Sequence, residues 1–235
     1  MLYGTGIAVG AGIYVLAGAV AGHAGICAPW SFGLSAVVMD LTVASYAELS
    51  TRFPVSAGEA TYVRAAFQSP AFSTATGLLT VAIGVISSAA VTLEAVLVIL
   101  GSVACWGILE SVVLASVVTV IEVGGLVIII VAAVHADLPI VATIVHAPPL
   151  NATLLSGIAF GSLLAFLAFI DLKDVANVVE EAKVQHRDVP RAMILTLLIS
   201  TILYVAVAAV AVSAITFIGI LWAVGGSMTM ARSRQ

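Results

Sequence analysis

Glycine residues crowd the start of the chain, within an otherwise apolar segment. Gly4, Gly6, Gly10 and Gly12 fall within nine positions. Glycine tolerates backbone conformations outside the helix, so a membrane helix rich in glycine can break and free its N–H and C=O groups. Freed backbone groups can hold a carboxylate or a cation in a membrane without a charged side chain. The GxxxG spacing of Gly6 and Gly10 also fits the alternative, close packing between helices.

A second group of candidate residues follows an apolar stretch that begins near Leu154. Asp171, Lys173 and Asp174 are three charges within four residues, directly after Ile170. Ionisable groups at membrane depth are costly and usually serve a function. The alternative is that the membrane span has ended and the charges lie at its surface. The sequence leaves both interpretations open.

Isolated acids within apolar segments are candidate proton carriers, because a carboxyl group in a low-dielectric environment can take up a proton near neutral pH. Asp40, Glu94 and Glu122 are such acids. Glu122 lies about ten residues from either end of its segment, well inside a span of ordinary length, and it is the first candidate. Asp171 is the second. A hydrogen-bonded structural carboxyl is the alternative for each.

Other classes of site find no support in the sequence. The chain contains no GxSxG, HExxH or P-loop motif, so no catalytic residue or cofactor is predicted. Cys27 and Cys105 stand alone, and the histidines lack metal-ligand spacing, so no metal site is predicted. The net charge of -4 offers no basic face for nucleic acid.

The elements that position these residues are predicted to be membrane helices. Hydrophobic residues make up 62% of the 235 residues, charged residues only 9%, and mean hydropathy is +1.24. Soluble domains carry about 25% charged residues. We therefore predict an all-α integral membrane protein that forms a single transmembrane domain over residues 1–235.

Apolar segments cover 2–22, 30–49, 71–107, 112–134, 154–170 and 193–222. Two long stretches, 71–107 and 193–230, could each form two short helices, which gives about six to eight transmembrane helices. Residues 135–151 contain three prolines and are predicted to form a loop with a re-entrant or interfacial piece. Residues 180–191 alternate in charge and are predicted to form a solvated linker, with Pro190 in the first turn of the next helix.

The basic residues predict how the chain is oriented in the membrane. Seven of the eight Lys and Arg residues fall in 51–70, in 183–191 or at the C-terminus. Cytoplasmic loops carry an excess of Lys and Arg. These three segments are therefore predicted to be cytoplasmic, and the connectors at 23–29 and 135–151 to face outward.

Four motifs together resemble the amino acid–polyamine–organocation superfamily of permeases. GAGIYVLAG (10–18) is similar to the first-helix signature of that family. SYAEL (45–49) with FPVSAGEATY (53–62) is similar to the end of the second helix and the connector after it. FLAFI (166–170) is similar to the sixth-helix motif, and EEAKVQHRDVPR (180–191) to the connector that follows it. In this order they extend the resemblance over residues 4–212.

This resemblance implies a LeuT-like helical bundle with broken first and sixth-type helices and an amino acid bound between the two breaks. The implied function is secondary active transport across the cell membrane, proton-coupled or by exchange, with the lipid bilayer, an amino acid and protons as partners. Glu122 and Asp171 are the candidate coupling groups. The implied substrate-binding residues are Gly10, Ala11, Gly12, Ile13, Tyr14, Phe166, Ala168, Phe169, Ile170 and Asp171.

The sequence also departs from the family pattern. Asp171 stands where the family usually has glycine, and Lys173 where an acidic residue is common; Lys173 could pair with Asp171 or Asp174. Segment 71–107 is short for two helices, and the family has about four or five more helices after the end of this chain. An incomplete bundle is therefore expected. The alternative functions are a non-transporting truncated permease or a membrane assembly subunit, with a membrane enzyme third.

Overall fold

In the computed structural model, helices dominate the part of the chain that it describes, and no strand occurs there. In chain order, the α-helices are α1 (Gly12–Ala24), α2 (Ala28–Arg52), α3 (Gly58–Phe67), α4 (Pro70–Val91), α5 (Ile108–His135), α6 (Ile140–Val145), α7 (Ala152–Phe169) and α8 (Gln185–Arg232). A 3-10 turn, Gly25–Cys27, joins α1 to α2, and a 3-10 segment, Ile170–Glu181, follows α7. The structure describes residues 5, 6, 9, 12–56, 58–91, 108–145, 151–181 and 185–232.

Several of these helices are long and apolar enough to cross a membrane. Within the described residues there are four such stretches, and Pro70–Ile86 is a shorter apolar helix. The four are Gly12–Arg52, Ser116–His135, Ala152–Ala176 and Arg187–Ile218. Large apolar side chains such as Leu41 (72% exposed) and Ile202 (68% exposed) lie on the outside, where only lipid would cover them. The chain is a multi-pass, all-helical membrane protein, as its composition predicts.

The helix boundaries follow the apolar segments closely where charges end them. The predicted segment 154–170 corresponds to α7, and the predicted 30–49 corresponds to α2, which begins two residues earlier and ends three later. Pro29 lies in the first turn of α2, where the missing N–H needs no partner. Residues 92–107, on which the predicted number of helices depends, lie outside the described residues.

Two connectors contain short helices, and the end of a third belongs to the next helix. Connector 54–70 contains the ten-residue helix α3, and connector 135–151 contains the six-residue helix α6. The prediction for Pro190 was wrong: α8 begins at Gln185, so Pro190 is the sixth residue of the helix and not part of its first turn. The charged residues directly before Pro190 thus belong to the same helix as the apolar segment and do not form a linker before it.

The described chain divides into two compact units. The first comprises Met1–Ala11, Met39–Glu122 and Ile170–Ile199, and the second comprises Gly12–Val38, Val123–Phe169 and Ser200–Gln235. The prediction of one domain over residues 1–235 stays a prediction.

In the first unit, α3 packs against α4. The Ser73 hydroxyl donates a hydrogen bond to the carbonyl of Ala60 at 2.8 Å. A Cβ atom on Gly77 would make ordinary contact with the Ala60 side chain, at 3.5 Å. These contacts give the short helix α3 a partner, although its sequence is polar.

In the second unit, two serine hydroxyls and one glycine lie where α2 packs against α7. Ser31 Oγ donates to the carbonyl of Ile158 at 3.2 Å, and Ser35 Oγ to that of Ser162 at 2.6 Å. A Cβ atom on Gly161 would lie 2.8 Å from Ser31 Oγ, so a larger residue there would displace the Ser31 hydroxyl from its present position. Small residues and interhelical hydrogen bonds are the usual basis of helix packing in membranes.

Helix α6 is also held by packing within the second unit. Ile140 belongs to a buried apolar cluster with Ala133, Ala209 and Val210. The buried hydroxyls of Thr143 and Ser213 lie 3.1 Å apart and share a hydrogen bond. This packing explains why a segment with several prolines still contains a helix.

Candidate functional site

The two helices that carry most of the predicted substrate residues, α1 and α7, pack against each other in the second unit. The predicted site residues of the two helices approach each other at Gly12, the first residue of α1. A Cβ atom there would lie 3.3 Å from the Cα atom of Ala168 and 3.6 Å from its Cβ atom. The first of these distances is tighter than an ordinary van der Waals contact. Glycine at position 12 therefore lets α1 reach the backbone of α7 close to where α7 ends.

The neighbouring predicted residues differ in exposure. Ile13 and Phe169 are fully buried, and Ala168 is buried as well. Tyr14 is 53% exposed, and Phe166 is half-buried. The predicted residues Gly10 and Ala11 lie outside the described residues. The structure thus brings Gly12 together with Ala168 and buries the side chains beside them.

Tyr204 of α8 contacts two of the predicted site residues, and sequence analysis missed it. Its hydroxyl donates a hydrogen bond to the carbonyl oxygen of Ala168 at 3.3 Å, and the whole side chain is buried. Its ring lies 4.9 Å from that of Phe169 and 5.8 Å from that of Phe32. Carbonyl groups in the last turn of a helix lack an α-helical N–H partner, and the Tyr204 hydroxyl supplies a donor instead. The only sequence signal was a lone tyrosine within the apolar run 193–222.

The α-helix ends at Phe169, and the backbone continues as 3-10 helix from Ile170. Ile170 and Asp171 therefore begin the 3-10 segment and belong to the first unit. Asp171 is exposed, whereas Leu172 is fully buried. The other proposed coupling residue, Glu122, is half-buried near the middle of α5.

A polar cluster in the first unit joins α3 to the 3-10 segment. Lys173 Nζ donates to Glu59 Oε1 at 2.6 Å and to Asp174 Oδ1 at 3.4 Å. The Tyr46 hydroxyl donates to the same Glu59 oxygen at 3.4 Å. Pairing of Lys173 with Asp174 was one of the two predicted pairings. The shorter contact, to Glu59, was not predicted, because 114 residues separate the two positions.

The electrostatics of the polar cluster favour the ionised carboxylate of Glu59. Burial raises the pKa of Glu59, but the hydrogen bond and charge of Lys173 and the other donors lower it more, so it lies below the ordinary value of 4.5. Burial and the nearby Glu59 charge raise the pKa of Tyr62. Among the described residues, the buried Tyr62 hydroxyl has no hydrogen-bond partner. Its ring lies 6.0 Å from that of Tyr46.

A search of the described part of the chain for groups of three or more His, Cys, Asp or Glu residues that could hold a metal ion finds none. Cys27 is a buried free cysteine in the second unit. Cys105 lies outside the described residues.

One comparison with known proteins yields a match. A family model described as "Amino acid permease" matches residues 91–232, which is more than half of the chain and includes α5 to α8. The first-helix motif at 10–18 lies before the matched range. No curated protein and no solved structure matches the chain.

Proposed function

The chain belongs to the amino acid permease family, and from this premise we propose that it is a secondary transporter whose substrate binds where α1 meets the end of α7. Membership of this family supports amino acid transport and membrane embedding in general. It also favours a transporter over an enzyme. The position of the site and the coupling mechanism are the additional proposals.

The observation that carries the proposed site is the close approach of Gly12 to Ala168. The N–H groups at the start of a helix carry partial positive charge and favour a carboxylate. The C=O groups at the end of a helix carry the opposite charge and favour an ammonium group. An amino acid has both groups, and the start of α1 and the end of α7 lie side by side. Gly10 to Tyr14 and Phe166 to Asp171 are the proposed binding residues.

We further propose that transport is coupled to protons or proceeds by exchange, with Glu122 and Asp171 as coupling candidates. Glu122 supports this because it is half-buried within a span of 20 residues. Ionisable groups inside a membrane span are energetically costly and usually serve a function. The proposed orientation puts connector 51–70, connector 183–191 and the C-terminus in the cytoplasm. The distribution of Lys and Arg supports it.

The proposed site is tested by Gly12→Val, with Gly18→Val as the matched control. The valine at position 12 would meet the α7 backbone, whereas a Cβ atom at Gly18, on the same helix, has nothing within 4 Å. The purified chain is placed in liposomes, and uptake of each common amino acid is measured. We expect wild type and Gly18→Val to transport one class of amino acid, and Gly12→Val to bind it about tenfold or more weakly.

Two results would contradict the proposal in different ways. Equal affinity in Gly12→Val and Gly18→Val would rule out the site beside Ala168. A folded, monodisperse wild-type chain that binds and transports no amino acid would instead favour a non-transporting membrane protein. Thermal unfolding in detergent, with and without each amino acid, separates these results from simple loss of folding.

A further inference from the structure

We propose that the ion pair between Glu59 and Lys173 positions the substrate site by bracing the 3-10 segment against α3. The inference rests on the proposed function. It assigns to these two residues a positioning role in substrate binding, exerted through the backbone that follows Phe169.

The geometry of the pair suits a brace. The nitrogen and oxygen lie 2.6 Å apart, and the side chains of Lys173 and Glu59 are only 26% and 19% exposed. A shielded pair of opposite charges interacts more strongly than one in open water. Glu59 lies in the first turn of α3 and is shared with the Tyr46 hydroxyl, so the carboxylate is held from a second side.

The 3-10 segment needs an external brace because of its own backbone. It runs for 12 residues, whereas 3-10 helices longer than three or four residues are uncommon and their hydrogen bonds have poorer geometry. Leu172, Val175 and Ala176 are buried and hold its apolar side. Lys173 holds its polar side through Glu59.

The brace lies only a few residues from the proposed site. Lys173 is four positions after Phe169 and five after Ala168, the residue that Gly12 approaches. About one helical turn separates Lys173 from the end of α7. A displacement of the 3-10 segment would therefore also move the end of α7. Loss of the pair should weaken substrate binding, because fewer molecules would hold the binding arrangement.

Charge reversal tests this inference. We would measure KM and maximal uptake rate in liposomes for Glu59→Lys, Lys173→Glu and the double variant E59K/K173E, using the amino acid that wild type transports best. Each single reversal places two like charges together, and we expect KM to rise on the order of tenfold. The double variant restores an opposite-charge pair between positions 59 and 173. Asp174 then faces a carboxylate at position 173, but its side chain is 38% exposed, so water weakens this repulsion. The KM of the double variant should therefore return to within about threefold of wild type.

Two controls accompany the reversals. The pair Glu48–Arg52 lies within α2 with side chains 64% and 66% exposed, so the swap E48R/R52E should leave KM unchanged. Tyr62→Phe removes a hydroxyl from the polar cluster without touching the ion pair, and its KM should also stay at the wild-type value. The conservative variant Glu59→Gln keeps a hydrogen-bond acceptor and should raise KM by only about threefold.

The contrary results are distinct. If wild type transports and the folded single reversals keep its KM, the brace is ruled out; the same holds if the double variant fails to rescue. If the reversals do not fold, Glu59→Gln decides: an unchanged KM overturns the inference, and a raised KM supports it. A folded wild type that transports nothing overturns the proposed function, and this inference with it.

Discussion

At the scale of single residues, the described part of the proposed substrate site depends on one glycine and one buried tyrosine. Gly12 allows two helices to meet at backbone distance, and Tyr204 donates to the carbonyl that lies there. Neither residue is charged. An amino acid carries both charges itself, so a site made of backbone groups and an apolar surround suffices to hold it.

Glu122 is the residue whose replacement tests proton coupling. Glu122→Gln keeps the size and hydrogen-bonding ability of the side chain but cannot exchange a proton. We expect wild-type uptake to fall severalfold as external pH rises from about 5 to 8, and the variant to show a flat profile. Uptake at several pH values measures this. Glu48→Gln, which changes an exposed carboxyl at the end of α2, is the control, and a variant profile like that of wild type would exclude Glu122 as the proton carrier.

At the scale of helices, the sequence predicts what hydrophobicity determines and misses what distant contacts determine. The ends of α7 were predicted to within two residues, because an apolar run meets charged residues after Ile170. Helix α3 was predicted only as a polar connector. Its stabilising partners, Ser73 and Lys173, come from later in the chain, and no local pattern reveals them.

The site shows the same division. The glycine-rich start of the chain and the FLAFI motif predicted Gly12, Ala168 and Phe169, which the structure brings together in one unit. Tyr204 and Glu59 were not predicted as site residues. Each acts through a partner more than 30 positions away, and an isolated tyrosine or glutamate in sequence does not indicate which partner it has.

The contact between α3 and the 3-10 segment should make stability depend on pH. The pKa of Glu59 lies below its ordinary value of 4.5, so the folded state binds the proton less readily than the unfolded state. The ion pair therefore stabilises the fold fully above about pH 4.5, and this contribution is lost as pH falls through the lower folded-state pKa. We expect the melting temperature of wild type in detergent to drop more steeply below pH 4.5 than that of Glu59→Gln. Parallel curves for the two proteins would contradict the assignment.

At the scale of the whole molecule, the candidate spans expose the apolar surface that a lipid bilayer would cover. Large apolar side chains remain exposed along the candidate spans, including Val15, Leu41 and Ile128. These exposed apolar side chains indicate that the helices lie in the membrane. The basic residues at the connectors are the basis for the proposed orientation.

The proposed orientation can be tested by cysteine labelling. In a background with Cys27→Ser and Cys105→Ser, a cysteine is introduced at Ala65 or at Ala136, both of which are exposed. We expect an impermeant maleimide added to intact cells to label Ala136→Cys at once and Ala65→Cys only after the membrane is opened. Permeabilised cells, in which both should react, provide the control. The reverse pattern would mean that connector 51–70 faces outward.

The ion pair between Glu59 and Lys173 has a consequence for how the two positions evolve. The superfamily that the sequence motifs resemble commonly has an acidic residue at the position of Lys173. Beside Glu59, such a residue would put two shielded carboxylates together, and Glu59 would be left partly buried without its counter-ion. An ancestor that changed one position first would have been handicapped until the other changed. Among related chains, we therefore expect both charges to be inherited together or to be absent together.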